Sequence, residues 1–164
     1  SMPSARKYAG MVVLDGKLYA VGGRSEADNG ATSNLVERYD FATKAWEEVA
    51  PMAVERSTPA MAVLDGKLYA VGGVNHNDDD VLSSVERYDP ATNAWEAVAP
   101  MAAARAAVGV AVLDGKLYAV GGKNEDEEDE GVIRNTVEIF DPATNAWGEV
   151  SPMATARVCS LALL

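Results

Sequence analysis

Leu14-Asp15-Gly16-Lys17-Leu18-Tyr19-Ala20-Val21-Gly22-Gly23, the decapeptide LDGKLYAVGG, recurs unchanged at Leu64–Gly73 and at Leu113–Gly122. A period of about 50 residues lies in the range that marks propeller blades, solenoid turns or arrays. Each copy is preceded by small and branched apolar residues, as in Ala60-Met61-Ala62-Val63, and contains Asp-Gly, a dipeptide that tolerates positive φ. Two apolar runs joined by Asp-Gly predict a β-hairpin with a two-residue loop. Leu68, Tyr69, Ala70 and Val71 are apolar at odd and even positions alike, so both faces of that strand are expected to be covered.

Downstream of each copy the order of signals is fixed. A polar loop of variable sequence is followed by LVERYD, SVERYD or TVEIFD, then by Ala-Trp, then by Pro-Met. The mixed runs Val85-Glu86-Arg87-Tyr88 and Ala94-Trp95-Glu96-Ala97-Val98 predict two further strands nearer a rim, giving four strands per repeat. The small residues of Val108-Gly109-Val110-Ala111-Val112 suit inner strands that converge on a narrow axis. Four-stranded units converging in this way describe a propeller blade.

These features resemble the Kelch repeat family. The resemblance rests on the doublets Gly22-Gly23, Gly72-Gly73 and Gly121-Gly122, followed by the aromatic pairs Tyr39 with Trp46, Tyr88 with Trp95, and Phe140 with Trp147. It covers nearly the whole chain and implies an all-β fold of Kelch-type β-propeller blades, three four-stranded antiparallel blades in this chain. Such blades commonly form a six-bladed ring that serves as a platform for other proteins. The expected organisation is a single array over residues 1–164, with blade 1 at about 6–52, blade 2 at about 56–101 and blade 3 at about 105–153. Residues 7 to 13 are expected to form the first inner strand. By the same resemblance, residues 158–164, which begin a fourth copy, look like an extra closing strand that either completes blade 1 of a second chain, displacing its N-terminal strand, or remains surplus.

Three blades leave an apolar face open at each end, a larger patch than soluble monomers usually carry. The expected solution is a homodimer, two chains joined head to tail into a six-bladed ring. Near-identical frameworks with divergent loops are what recent duplication, engineering or truncation of a longer array produce, and sequence does not choose among them.

Charge and composition narrow the partners. Lys and Arg total 14 against 25 Asp and Glu, a formal net charge of −11, which argues against nucleic acid and anionic membrane surfaces. No apolar run approaches a membrane span, and the first residues lack a signal-peptide plan; Ser1-Met2 resembles a tag scar. The expected location is cytoplasmic. The single cysteine, Cys159, makes neither an intrachain disulfide nor a multi-thiolate metal site and reads as a small buried side chain. The single histidine, His76, rules out a His-rich metal centre. No catalytic residue, cofactor or metal is assigned, and the chain is expected not to be an enzyme. The family does include enzymes, among them copper oxidases and sugar-acid epimerases. The former need histidines that are absent here; an Arg and Glu site of the latter type remains as a lesser alternative. A purely self-assembling half-propeller without a natural ligand is the other.

Loops that vary over a fixed scaffold are where a platform changes partners. The loops here are RSEADNGATSN, VNHNDDDVLSS and KNEDEEDEGVIRN, the last with six acids from Glu125 to Glu130 that read first as a solvated loop and second as a surface for a basic partner. Asn75, Asn77, Asp79 and Glu86 show part of a calcium-loop spacing, but Asp80 stands where the tight turn wants Gly. Arg6, Arg56, Arg105 and Arg157 share one repeat position just before the inner strand. By resemblance to Kelch platforms they are candidate ligand contacts for an acidic peptide or protein, with a structural role for the same arginines as the alternative. The aromatic residues are expected to pack the blades.

Overall fold

The computed structural model describes residues 2–124 and 132–158. Within them the chain forms three four-stranded antiparallel meanders. Blade 1 contains β1 (Gly10–Leu14), β2 (Lys17–Val21), β3 (Val36–Asp40) and β4 (Ala45–Val49). Blade 2 contains β5 (Ala60–Leu64), β6 (Lys67–Val71), β7 (Val85–Asp89) and β8 (Ala94–Val98). Blade 3 contains β9 (Gly109–Leu113), β10 (Lys116–Val120), β11 (Val137–Asp141) and β12 (Ala146–Val150). Every strand pairs with its sequence neighbour, so each sheet runs from the innermost strand to the rim without a crossover.

The decapeptide does two jobs in this arrangement. Asp15 and Gly16 both take positive φ, at 49° and 70°, and place Leu14 opposite Lys17, the geometry of a primed two-residue turn. The Gly-Gly doublet answers a different need. A Cβ on Gly22 would lie 2.2 Å from the Arg56 carbonyl oxygen, and one on Gly72 would lie 2.4 Å from that of Arg105. Backbone from the next blade approaches too closely there for any side chain.

Two apolar clusters lie between the blades. The first joins Leu14, Tyr19, Val21 and Val36 of blade 1 to Met61, Leu68 and Tyr88 of blade 2. The second joins Leu64, Tyr69, Val71 and Val85 of blade 2 to Val108, Leu117 and Phe140 of blade 3. This explains why β6 is apolar on both faces: blade 2 is covered on one side by blade 1 and on the other by blade 3. Cross-strand pairs stack the signature aromatics, with ring centroids 5.3 Å apart for Tyr39–Trp46 and 5.2 Å for both Tyr88–Trp95 and Phe140–Trp147.

The inner strand is shorter than the expected run of residues 7 to 13. Arg6–Lys7 instead pairs with Arg24–Ser25, the chain turns at Tyr8 (φ 61°), and the blade strand starts at Gly10. Thr58 and Ala107 turn at the same repeat position, with φ of 51° and 47°. The kink lets the residue before it pair with the loop that follows the second strand of the same blade, as Lys7 does with Arg24, Ser57 with Val74 and Ala106 with Lys123, while the chain behind it enters the sheet. The acidic run from Glu125 to Glu130, Cys159 and the closing strand, apart from Val158, lie outside the described residues.

Candidate functional site: arginine brackets and open blade faces

The repeated arginines turn inward. Arg56 is fully buried; its guanidinium donates to the carbonyls of Gly72 (3.1 Å) and Ser84 (2.9 Å) and to Glu86 Oε1 (3.0 Å). Arg105 donates to the carbonyls of Gly121 and Thr136, to the Thr136 hydroxyl and to Glu138 Oε1. Arg6 reaches the carbonyls of Gly22 and Leu35 and Glu37 Oε2 at 2.5 Å. Burial pulls the Arg56 guanidinium below its ordinary value, and the Glu86 carboxylate works against that.

The Arg56 and Arg105 brackets each span a seam. Glu86 also accepts from the backbone N–H groups of Ala53 and Val54, in the segment that leaves blade 1, and Glu138 accepts from Ala102 in the segment that leaves blade 2. The Arg56 carbonyl accepts from Gly23 N, while the Arg56 side chain grips blade 2. One residue thus holds the preceding blade through its backbone and the following blade through its side chain.

The expectation that these arginines contact a ligand is corrected for Arg6, Arg56 and Arg105. Their guanidiniums are spent on buried carbonyls and carboxylates, whose desolvation requires a cationic partner. Arg157 is different. Its backbone makes the repeat's bonds, from Gly122 N to its carbonyl and from its own N–H to Arg134 O, yet its side chain is exposed and makes no ion pair or hydrogen bond with the described residues. Sequence reasoning missed the partners Glu37, Glu86 and Glu138, although their place in the repeated VE dipeptide was a signal: a carboxylate repeated in register with an arginine.

The loop candidates are engaged locally. Asn77 accepts from Thr32 N, donates to Thr32 O and bonds Glu55, docking the second loop on blade 1. The Asn75 amide donates to Asp78 Oδ2. Glu86 faces Arg56 instead of the loop, so Asn75, Asn77, Asp79 and Glu86 do not converge. His76 is exposed; partial desolvation and the nearby Arg24 charge lower its pKa, against the pull of Asp79.

The open faces are the largest feature that sequence reasoning anticipated only in outline. Tyr19 and Tyr69 are buried because their rings meet Tyr88 and Phe140 of the next blade, each at 5.9 Å edge to face; the equivalent Tyr118 has no such neighbour among the described residues and is half-buried. Leu64 is 3% exposed, whereas Leu113 at the same repeat position is 58% exposed. Blade 1 shows the complementary deficit. Tyr39 is half-buried where Tyr88 and Phe140 are buried, and Met11 is 44% exposed where Met61 is 8% exposed. The indoles of Trp95 and Trp147 donate to the carbonyls of Ala50 and Ala99 in the preceding blade; Trp46 has no preceding blade to bond.

A family model described as the KLHDC2/KLHL20/DRC7 Kelch-repeats domain matches residues 1–122, and one described as the Kelch motif matches residues 104–154. Kelch-like protein 36 of Rattus norvegicus is 41% identical over 58 residues, 34% of this chain and 10% of that protein. The solved structure titled "Structure of YjhT" superposes with a TM-score of 0.77 at 20% identity, covering 93% of this chain and 53% of that one. The chain therefore spans a tenth of the one relative and about half of the other. The likeness to YjhT overturns the expectation that the chain is not an enzyme. The neighbour is a Kelch-type propeller, the framework that also carries the sugar-acid epimerases noted above, so the fold gives no ground for excluding catalysis. With repeat models matching from residue 1 to residue 154 and three meander sheets joined by Gly-Gly and arginine brackets, the chain belongs to the Kelch repeat family.

Proposed function

We propose that this chain is a protein-interaction platform whose working form is a six-bladed ring of two copies closed head to tail, with its ligand at the loop-bearing mouth. The observation that carries the ring is that the two open faces of the chain repeat, residue for residue, the two halves of its internal seams. Tyr118, Leu113 and Val120 present what Tyr69, Leu64 and Val71 present to blade 3, and Tyr39, Met11 and Leu18 present what Tyr88, Met61 and Leu68 present to blade 1. The Trp46 indole N–H is the donor that the Ser151 carbonyl, equivalent to Ala50 and Ala99, would accept. That three blades cover about half of the YjhT chain supports a full propeller of twice this size. Two such seams would bury on the order of 2,000 Å² or more, an obligate-interface area.

The loops following Gly23, Gly73 and Gly122 vary over this fixed frame, which supports the mouth as the ligand face. An acidic peptide would be met there by Arg157, whose side chain is exposed, instead of by a ring of four arginines. A cytoplasmic location belongs to the same proposal. Light scattering after size exclusion, across a dilution series, tests the ring: a mass near twice 17.3 kDa is expected. A monomer of 17.3 kDa at every concentration would overturn it.

A further inference from the structure

Four of the places where one blade departs from the other two, Phe41, Lys44, Ile139 and Gly148, lie on the outer halves of the end blades. Blades 1 and 2 carry a cross-strand Arg–Glu pair, Arg38 with Glu47 (2.6 Å) and Arg87 with Glu96 (2.6 Å). In blade 3 the same paired positions hold Ile139 and Gly148. Blades 2 and 3 turn from their third to their fourth strand through Asp-Pro, at Pro90 and Pro142, and blade 1 turns through Asp40-Phe41. Asn93 and Asn145 accept from the backbone N–H groups of Ala50 and Ala99 in the preceding blade, while blade 1 has Lys44 at that position, a donor only. Blade 2, which has a neighbour on each side, keeps the repeat at every one of these positions.

Their placement is specific. Arg87 lies within 3.5 Å of the Tyr69 hydroxyl, and Tyr69 meets Phe140 of the next blade, so the Arg–Glu pair sits on the face turned towards the following blade. By the repeat, Ile139 and Gly148 sit on the open face of blade 3. Phe41 packs edge-on against Tyr39, 4.9 Å between centroids. Tyr39 is the equivalent of Tyr88 and Phe140, the rings that face the preceding blade, so Phe41 sits on the open face of blade 1 and is 59% exposed. One open face has gained a bulky apolar side chain. The other has lost a charged pair and a side chain's volume: a Cβ placed on Gly148 would meet only the Ile139 methyl, at 3.9 Å.

We infer that Phe41 of one copy fills the notch left by Ile139 and Gly148 of a second copy, making the closing seams chemically distinct from the two seams within the chain. This rests on the two-copy ring proposed above. In the internal seams the corresponding place is held by a half-exposed ion pair and an Asn-to-backbone hydrogen bond. At the closing seam, a charged pair opposite Phe41 would be desolvated without a partner, whereas Ile139 and an open glycine accept the ring. The exchange selects pairing of blade 3 with blade 1 over any pairing that uses the standard repeat.

The test measures the dimer dissociation constant by sedimentation or light-scattering dilution for the wild type, for Ile139→Arg with Gly148→Glu, for Phe41→Pro, and for all three substitutions together. Each replacement installs the residue found at that position in another blade, and tryptophan fluorescence reports that the monomer is folded. Either change alone is expected to weaken association at least tenfold, and the triple variant to recover to within about threefold of the wild type. Dissociation constants unchanged by the single-face variants, or losses that simply multiply in the triple variant, would overturn the inference while leaving the ring standing. A wild type that never exceeds the monomer mass defeats the ring and the inference together.

Discussion

Arg56 and Arg157 occupy one repeat position in opposite environments, and replacing each with Met separates buried pairing from mere presence of an arginine. Arg56→Met retains most of the stem and removes a guanidinium with bonds of 3.1, 2.9 and 3.0 Å to two carbonyls and Glu86. Glu86, only 2% exposed, would keep two backbone N–H partners but lose its countercharge. Breaking a buried pair from one side costs about 3–5 kcal/mol, a large part of the roughly 5–15 kcal/mol that holds a domain together. For a chain of this size each kcal/mol moves the midpoint by about 2–4 °C, so a fall of about 6–20 °C is expected. Arg157→Met removes an exposed side chain with no partner among the described residues and should stay within about 0.5 kcal/mol, or about 2 °C. Both variants lose one positive charge from a chain of net charge −11, so long-range repulsion cancels in the comparison. The assay is thermal unfolding by tryptophan fluorescence, at a dilution where the chains do not associate. Equal shifts in the two variants would refute the claim that the bracket, and not the arginine as such, holds the seam.

The glycines of the decapeptide should separate in the same way. Gly72→Ala sets a Cβ 2.4 Å from the Arg105 carbonyl at φ +59° and should cost several times more than Gly66→Ala, which has φ +70° and nothing within 4 Å and should lose only about 1–2 kcal/mol; denaturant midpoints measure both. Acid should loosen the rim of each blade. Asp89 and Asp141 are held below the ordinary carboxylate value first by Lys67 and Lys116 and then by backbone N–H groups, and Asp40 first by the N–H groups of Ala42 and Thr43 and then by Lys17. A depressed folded-state value means that this stabilisation is complete above about pH 4 and is lost as pH falls through the lowered values. Replacing all three with Asn should flatten the fall in melting temperature below pH 4, and an unchanged slope would count against it.

The strands were legible because their signals are local. Asp15-Gly16 fixes a turn by its own dihedrals, and the doubly apolar run Leu68–Val71 announces a sheet covered on both faces whatever covers it. The destination of Arg56 was not legible, because its partner Glu86 lies across a hairpin and a loop, and a repeated arginine reads equally well as lining a mouth or bracing a wall. Burial decides between them, and burial depends on the neighbouring blade. The kink at Tyr8, Thr58 and Ala107 was hidden for a related reason: three different residues adopt positive φ there, so no residue type marks it. The apolar ends were foreseeable from blade count, but the departures at Phe41, Ile139 and Gly148 looked like ordinary drift until the strand register, for Ile139 and Gly148, and the ring contact with Tyr39, for Phe41, put them on outward-facing surfaces.

The dual grip of each bracket arginine sets how the chain comes apart. Arg56 and Arg105 each hold one blade by the carbonyl and the next by the side chain and cannot be released from either without loosening both, so neighbouring blades share their opening free energy as adjacent units of a linear array do. Blade 2 is clasped from both directions, and blades 1 and 3 from one. Amide protons of β6 and β7 should then outlast those of their counterparts in the outer blades during hydrogen exchange, with opening spreading inward from the two ends.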